Sequence, residues 1–376
     1  MRIFVDAHVF DEGFQGTRTF IRGLYGKLAK MPGGPEIVMG AYSPERLERE
    51  FPGLNNFRFI RYPSTSKYRR LFWNLPVILG REKCDFAHFQ YVVPPVKKTR
   101  YIVTIHDLLF NDFPSDFPLS YRISRNVAFR SSAWLADFIT TDSWYSEESI
   151  RKHYGINSQR ISVVPMGVDD RYFEAPDRNL SITYIKDRFR ISNYILFVGR
   201  VEPRKNHAFL LRAYLDLRLC KEGVSLVFVG GRSLAYPELD GMLSSLKPDE
   251  RESVRFIDRA GEEDLPHFYR AARIFVYPSK GEGFGIPPLE AGASGTDVLC
   301  SGKTSMADFT FFEDGLFDPQ RYDEFRNKLS ARIATPSPKE KLDKIRNEIR
   351  RSYSWERSVG LFMEMITPGW MPPALR

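Results

Sequence analysis

Cysteine is scarce in this sequence: Cys84, Cys220 and Cys300 are the only three among 376 residues. They lie far apart and form no CxxC. That excludes a disulfide framework or a cysteine zinc site, and suits small buried hydrophobes in a reducing compartment. Long hydrophobic runs are missing too. No stretch approaches the roughly 18 apolar residues of a membrane span. The opening MRIFVDAHVFDEG has Asp6 and His8 where a signal peptide needs an unbroken apolar core. The expectation is a cytoplasmic protein, at most peripheral at the inner face of a membrane. His88, His153 and His267 lack metal-ligand spacing and read as structural or surface residues. No D-x-D is placed to hold a divalent metal, so neither a metal nor any other cofactor is expected. Acidic residues are in deficit, leaving a formal charge of +8. This suggests anionic company, whether nucleic acid, phospholipid head groups or phosphorylated small molecules. The basic residues are scattered and form no recognised nucleic-acid motif, which argues against nucleic acid.

What is present is a long chain with ordinary globular composition, enough for two domains. Short apolar, β-branched runs alternate with amphipathic stretches. Strands are expected at RIFVDA (2–7), EIVMGAY (36–42), FRFIRYP (57–63), FAHFQ (86–90), YIVTIHD (101–107), FITTDS (138–143) and ISVVPMG (161–167). Their near-continuous hydrophobicity suits a parallel sheet covered on both faces. GTRTFIRGLYGKLAK (16–30) reads as the first helix. In SWYSEESIRKHYG, Ser143 or Ser146 is the expected N-cap and Gly155 the end. A polar connector runs from about Asp169 to Ser192. The pattern then restarts with YILFVGR (194–200), SLVFVGG (225–231), VRFIDR (254–259), RIFVYPS (273–279) and DVLCSG (297–302), and NHAFLLRAYLDLRLC (206–220) reads as a helix. Two charged or amphipathic helices, over 335–355 and SWERSVGLFMEMI (354–366), close the pattern. The fold class is therefore α/β, with two Rossmann-like domains facing a cleft. The boundaries expected are 1–172 plus a return segment 354–376, and 173–353.

The chemistry concentrates at strand ends of the second series. After the strand ending Gly199-Arg200 comes VEPRK, then a helix opening near Asn206. Arg200 and Lys205 thus flank a helix N-terminus, an arrangement suited to a diphosphate; a solvated basic turn is the plainer alternative. The strand RIFVYPS delivers SKGEGFG, whose Gly281, Gly283 and Gly285 allow close backbone approach to a ligand. Pro287 and Pro288 suit a first helical turn, with Glu282 on the loop and Glu290 expected inside that turn. A carboxylate such as Glu290 can accept from both hydroxyls of a ribose; it could equally be a glutamate favoured by the helix dipole. Paired glutamates also raise glycoside hydrolysis, which needs two carboxyl groups facing one bond at about 5–10 Å. A loop residue and a helix residue are not obliged to face each other.

GEGFGIPPLEA resembles the E-x7-E signature of retaining GT-B glycosyltransferases, in particular glycosyltransferase family 4, and GRVEPRKN resembles that family's G-R and K-N pair. VVPMGVD (163–169), TIHDLLFNDFP (104–114), FQGTRTFIRGL (14–24) and SWERSVGLFMEMI resemble, in order, its interdomain boundary, HD loop, first glycine loop and last helix, which crosses back to the first domain. The resemblance implies that Arg200 and Lys205 hold a donor diphosphate, Glu290 the ribose and Glu282 the donor sugar. It assigns sugar and phosphate contacts to the backbone of Gly283, Phe284, Gly285 and Ile286. It puts His106 near the sugar C6 group with Asp107 beside it, lets the loop close at Gly16, and sets Arg259 on the nucleobase loop. Three positions depart from the family pattern: Asp297 stands at a usual proline, KTSMADF replaces a loop of S-x-x-P-E type, and GTRTF replaces G-I-G-R-Y, leaving the roles of Asp308 and Arg18 open.

The reaction implied is retaining transfer of a hexose, mannose-like or deoxy, from a nucleoside-diphosphate sugar. The acceptor is a glycan or lipid-linked hydroxyl in bacterial surface polysaccharide synthesis. A GT-B-like nucleotide-sugar epimerase is the rival enzyme, separable because it needs no acceptor; a basic nucleic-acid-binding protein is the non-enzyme rival. The run KYRRLFWNLPVILGREK (67–83) mixes basic and apolar residues and leaves peripheral membrane contact open. Phe72, Leu75, Ile78 and Leu79 have the spacing to pack on the sheet instead.

Overall fold

The computed structural model describes residues 1–11, 16–174 and 177–369. Phe14 and Gln15 of the first glycine loop, and the tail from Trp370, lie outside the described residues. The chain divides into two compact units, Met1–Gly167 joined by the segment from Tyr353 onward, and Val168–Ser352.

In the first unit, β1 (Arg2–Asp6), β2 (Glu36–Ala41), β3 (Phe57–Arg61), β4 (Phe86–Gln90), β5 (Arg100–Thr104), β6 (Phe138–Thr141) and β7 (Ile161–Val163) form one sheet. Their order is β3-β2-β1-β4-β5-β6-β7. All pairs are parallel, with Ile3 opposite both Ile37 and Phe86. Parallel strands need crossover helices, and these bury both faces. On one face Phe4, Phe89, Tyr101 and Val103 pack with Leu71, Leu75, Leu79, Phe129 and Ala133 from helical segments. The opposite layer contains Gly16–Leu28 and Trp355–Ile366. Those helices meet closely because Gly23 has no side chain; a Cβ there would lie 2.0 Å from the Trp355 ring. Ser358 Oγ donates to Pro165 O at 2.6 Å, tying the returning helix to the end of the β7 segment.

The second unit holds β8 (Tyr194–Val198), β9 (Ser225–Val229), β10 (Val254–Ile257), β11 (Ile274–Tyr277), β12 (Val298–Ser301) and β13 (Leu316–Phe317), ordered β10-β9-β8-β11-β12-β13. These too are all parallel. In each unit the strand order reverses direction beside the first strand, between β1 and β4 and between β8 and β11. Such a reversal opens a crevice at the carboxyl ends of the strands, where doubly wound sheets bind ligands.

Several expectations need correction. The polar connector is helical, with Asp170–Phe173 and Arg178–Phe189 capped by Asp169 and Asp177. Two-residue β13 is too short to leave a sequence pattern. The helix after Asn206 stops at Asp216, and the charged helix spans Lys339–Ser352. Glu290 is not in the first turn: the helix runs Ile286–Ala293 from its N-cap Gly285, placing Glu290 in the second turn. Phe72 is exposed rather than packed on the sheet. A π-turn at Arg70–Asn74 breaks the 3.6-residue period there, so spacing no longer dictates which side chains face inward. Cys84 and Cys300 are buried as expected, but Cys220 is only half-buried. Ser143 caps Trp144–Tyr154 and Gly155 ends it in the left-handed region. Among the described residues, no helix is long and apolar enough to cross a membrane.

Candidate active site

In the second unit the crevice between β8 and β11 holds a compact group of charges. β8 runs into Gly199-Arg200, a turn Pro203–Lys205, and a helix that opens at His207. β11 runs into Ser279 and Glu282. Lys205 Nζ donates to Glu282 Oε1 at 2.7 Å and to the Tyr277 hydroxyl at 2.5 Å. Ser279 Oγ donates to the same carboxylate oxygen at 2.6 Å, and Arg204 pairs with Oε2 at 3.0 Å. Arg204 also binds Glu202 Oε1 at 2.6 Å and the Gly281 carbonyl.

Electrostatics follows from this packing. Burial alone would raise the Glu282 pKa, but Arg204 and Lys205, helped by the Ser279 hydroxyl, pull it down to about 2. Burial lowers the Lys205 pKa, and Glu282 only partly offsets it. Burial also opposes the charge on Arg204, yet Glu282 and Glu202 outweigh it and raise its pKa. Four charged groups thus occupy a small buried volume with their charges balanced.

The GEGFG backbone is fixed from the neighbouring loop. The Thr304 hydroxyl accepts from Glu282 N at 2.9 Å, and Ser305 Oγ contacts the carbonyls of Glu282 and Phe284 at 2.9 and 2.7 Å. The departing KTSMADF loop therefore holds the glycine loop through its Thr and Ser, while Asp308 is exposed. Gly285 has φ 95°, and a Cβ there would sit 2.7 Å from Met306 Cγ. Glycine is required by both conformation and space. Asp297 is buried and engaged by Arg332 at 2.7 Å and Ser337 N at 3.0 Å, so it braces the fold.

Glu290 belongs to a different set of contacts from Glu282. Tyr269 donates to its Oε2 at 2.8 Å, and the Tyr172 hydroxyl also bonds to it. Burial raises its pKa against the pull of these hydroxyls and of Arg171. Arg171 bridges Asp169 at 2.9 Å and Glu262 at 3.0 Å, anchoring the loop that carries Arg259. Arg259 and Arg200 are exposed.

In the first unit, His106 and Asp142 follow β5 and β6. His106 Nδ1 lies 2.6 Å from Asp142 Oδ2, and Nε2 lies 2.9 Å from Gln90 Oε1 at the end of β4. Burial disfavours the imidazolium, but Asp142 outweighs it and raises the His106 pKa. Asp107 accepts from Leu109 N at 3.1 Å and starts the following turn. Gly16 begins its helix, and a Cβ added there would meet nothing within 4 Å among the described residues. Arg18 pairs with Glu50. His88 is a buried structural residue held by Tyr25 and Thr104, its pKa pushed down to about 3 by burial and by His106. His153 pairs with Asp112, and His267 stacks on Tyr184. No group of three or more His, Cys, Asp or Glu suited to a metal occurs among the described residues.

Sequence reasoning missed Arg204, Tyr277, Ser279, Tyr172, Tyr269, Gln90 and Asp142. Arg204 and Asp142 had a signal, since each is a charged residue just beyond a strand end. The tyrosines reach their carboxylates only through tertiary packing.

Two parallel sheets, each with its strand-order reversal, and a charge-balanced carboxylate at one reversal define an α/β protein of GT-B type. Residues 14–172 match the family profile described as Glycosyltransferase Family 4, and residues 185–351 the profile described as Glycosyl transferases group 1. Together the matches span most of the chain, which belongs to the group 1 glycosyltransferases. It is 28% identical over 278 residues to an O-antigen chain mannosyltransferase B of Escherichia coli, covering 72% of each chain. Among solved structures it resembles sucrose-phosphate synthase of Thermosynechococcus elongatus, with TM-score 0.75, 18% identity, and 97% and 98% of the chains covered. Anabaena Alr3699/HepE in complex with UDP and glucose gives TM-score 0.72 at 15% identity, with 98% and 99% covered. At these identities the structural likenesses establish the fold alone.

Proposed function

We propose that this glycosyltransferase moves a mannose-like or deoxy hexose from a nucleoside-diphosphate sugar to a glycan or lipid-linked hydroxyl, with retention and without a metal ion, in bacterial surface polysaccharide synthesis. The carrying observation is the Lys205–Glu282–Arg204 cluster at the strand-order reversal of the second unit. When the diphosphate leaves, negative charge grows on its oxygens, and preorganised cations and helix N-termini stabilise such charge. Lys205 would turn from Glu282 toward the phosphate, with Arg200 beside it. Arg204 would stay on Glu282 and keep that carboxylate aimed at the donor sugar. The backbone from Gly283 to Ile286 would meet sugar and phosphate, Glu290 the ribose, and the Arg259 loop the base. On the first unit, His106 and Asp107 would face the sugar and Gly16 would allow the loop to close. The named activity of the similar E. coli protein supports a mannose-like donor and a polysaccharide acceptor.

A panel of nucleoside-diphosphate sugars, read by thermal stabilisation and by release of nucleoside diphosphate, tests this reading. One donor should stabilise the protein and be consumed, with the anomeric configuration kept in the product and turnover unchanged by a chelator. Absence of any donor response would refute it. Loss of activity on chelation would remove the metal-free mechanism, and sugar inversion without acceptor would favour an epimerase.

A further inference from the structure

We infer that the outer surface of the first unit, formed by the helical segments Lys67–Glu82 and Leu119–Leu135, docks on an anionic lipid bilayer. Both segments press one side against the same face of the seven-stranded sheet, through Leu71, Leu75 and Leu79 in one and Phe129 and Ala133 in the other. Their opposite sides are apolar as well. Tyr68, Phe72, Trp73 and Val77 stand out from the first segment, Trp73 being 73% exposed. On the second, Leu119, Ile123 and Val127 repeat every fourth residue and form one exposed stripe, with Trp134 further along; Val127 is 64% exposed. Single exposed apolar residues are ordinary. Two helices on one sheet face that are apolar inside and outside are not.

Charge selects the occupant. Residues 117–136 contain Arg122, Arg125 and Arg130 and no acidic residue. In 67–83, Lys67, Arg69, Arg81 and Lys83 are exposed, while Arg70 turns inward to Asp6; the single acid, Glu82, is buried and paired with Arg58 and Arg81. The surface thus offers cations, Trp, Tyr and aliphatic side chains without an exposed carboxylate on either segment. Anionic head groups attract such cations, and the head-group and acyl boundary accepts aromatic and aliphatic side chains. The apolar groups project from convex helices, and a bilayer receives them without needing a complementary shape.

The test is sedimentation of the full-length protein with vesicles of a zwitterionic phospholipid, alone or mixed with an anionic one. No sugar donor is required, so the outcome is independent of the reading of the active site. The protein should sediment with the anionic vesicles, less so as salt is raised, and its tryptophan emission should shift to the blue. The paired changes Phe72→Ser with Trp73→Ser, and Ile123→Ser with Val127→Ser, alter exposed positions and should leave the melting temperature in place. Each pair should weaken binding by roughly tenfold or more, from the apolar area withdrawn. Arg122→Gln with Arg125→Gln should weaken it by about tenfold. No sedimentation, equal binding to neutral vesicles, or undiminished binding by the serine variants would overturn the proposal. So would vesicle-free self-association abolished by those variants, which would make a second copy the occupant.

Discussion

Replacing Lys205 by Ala separates its structural work from its chemical work. The Lys205 side chain is 13% exposed, and its ammonium donates to Glu282 and Tyr277. Removing it does not strand the carboxylate, because Arg204 and Ser279 still hold Glu282. The cost should resemble a lost charged hydrogen bond, about 1.5–3 kcal/mol, rather than the ~3–5 kcal/mol of an uncompensated buried charge. For a unit of this size that corresponds to a fall in melting temperature of about 3–12 °C, leaving the protein folded at 25 °C. The effect on transfer should be much larger. Loss of one preorganised contact to the developing charge lowers turnover by ~10²–10³, which is about 2.7–4 kcal/mol. Initial rates at saturating donor, beside a melting curve on the same sample, distinguish the two. Full turnover with a lowered melting temperature would show that Lys205 is only a brace, and would refute the leaving-group argument.

Glu290→Ala should leave turnover at saturating donor nearly intact while nucleoside-diphosphate binding, measured calorimetrically, weakens by roughly tenfold or more for one charged hydrogen bond. Equal affinity would remove Glu290 from the site. The His106–Asp142 pair should make stability depend on pH. Its histidine pKa is raised in the folded state, so the stabilisation is complete below the ordinary value of 6.5 and fades as pH climbs through the folded pKa. Asp142→Asn should therefore destabilise more at pH 6 than at pH 9 in denaturant melts, and histidine NMR titration should show the His106 pKa fall. Gly285→Ala forces a side chain into the left-handed region and against Met306. It should cost about 1–3 kcal/mol, whereas Gly16→Ala, which meets nothing within 4 Å among the described residues, should leave the melting temperature unchanged.

The alternation of apolar runs with amphipathic stretches is enough to place twelve of the thirteen strands among the described residues, because parallel strands buried on both faces must be apolar along their length. It overlooks β13, which has only two residues, and reads the helices Asp170–Phe173 and Arg178–Phe189 as connector. There the polar surface of exposed helices hides the period. The position of Phe72 was illegible for another reason: a π-turn shifts the helical phase, and spacing carries no sign of it.

From its residues alone, this chain determines two parallel α/β sheets, the segments after strand ends that bear Lys205, Glu282 and His106, and the helix that bears Glu290, since hydrophobic period and glycine placement act locally. Only the folded chain decides which partner each charge takes. Arg204 and Lys205 close on Glu282, Tyr269 and Tyr172 on Glu290, and Asp142 on His106. Those pairings join residues from elements far apart in the chain, and the low dielectric of the interior, which no linear pattern records, is what makes each partner necessary.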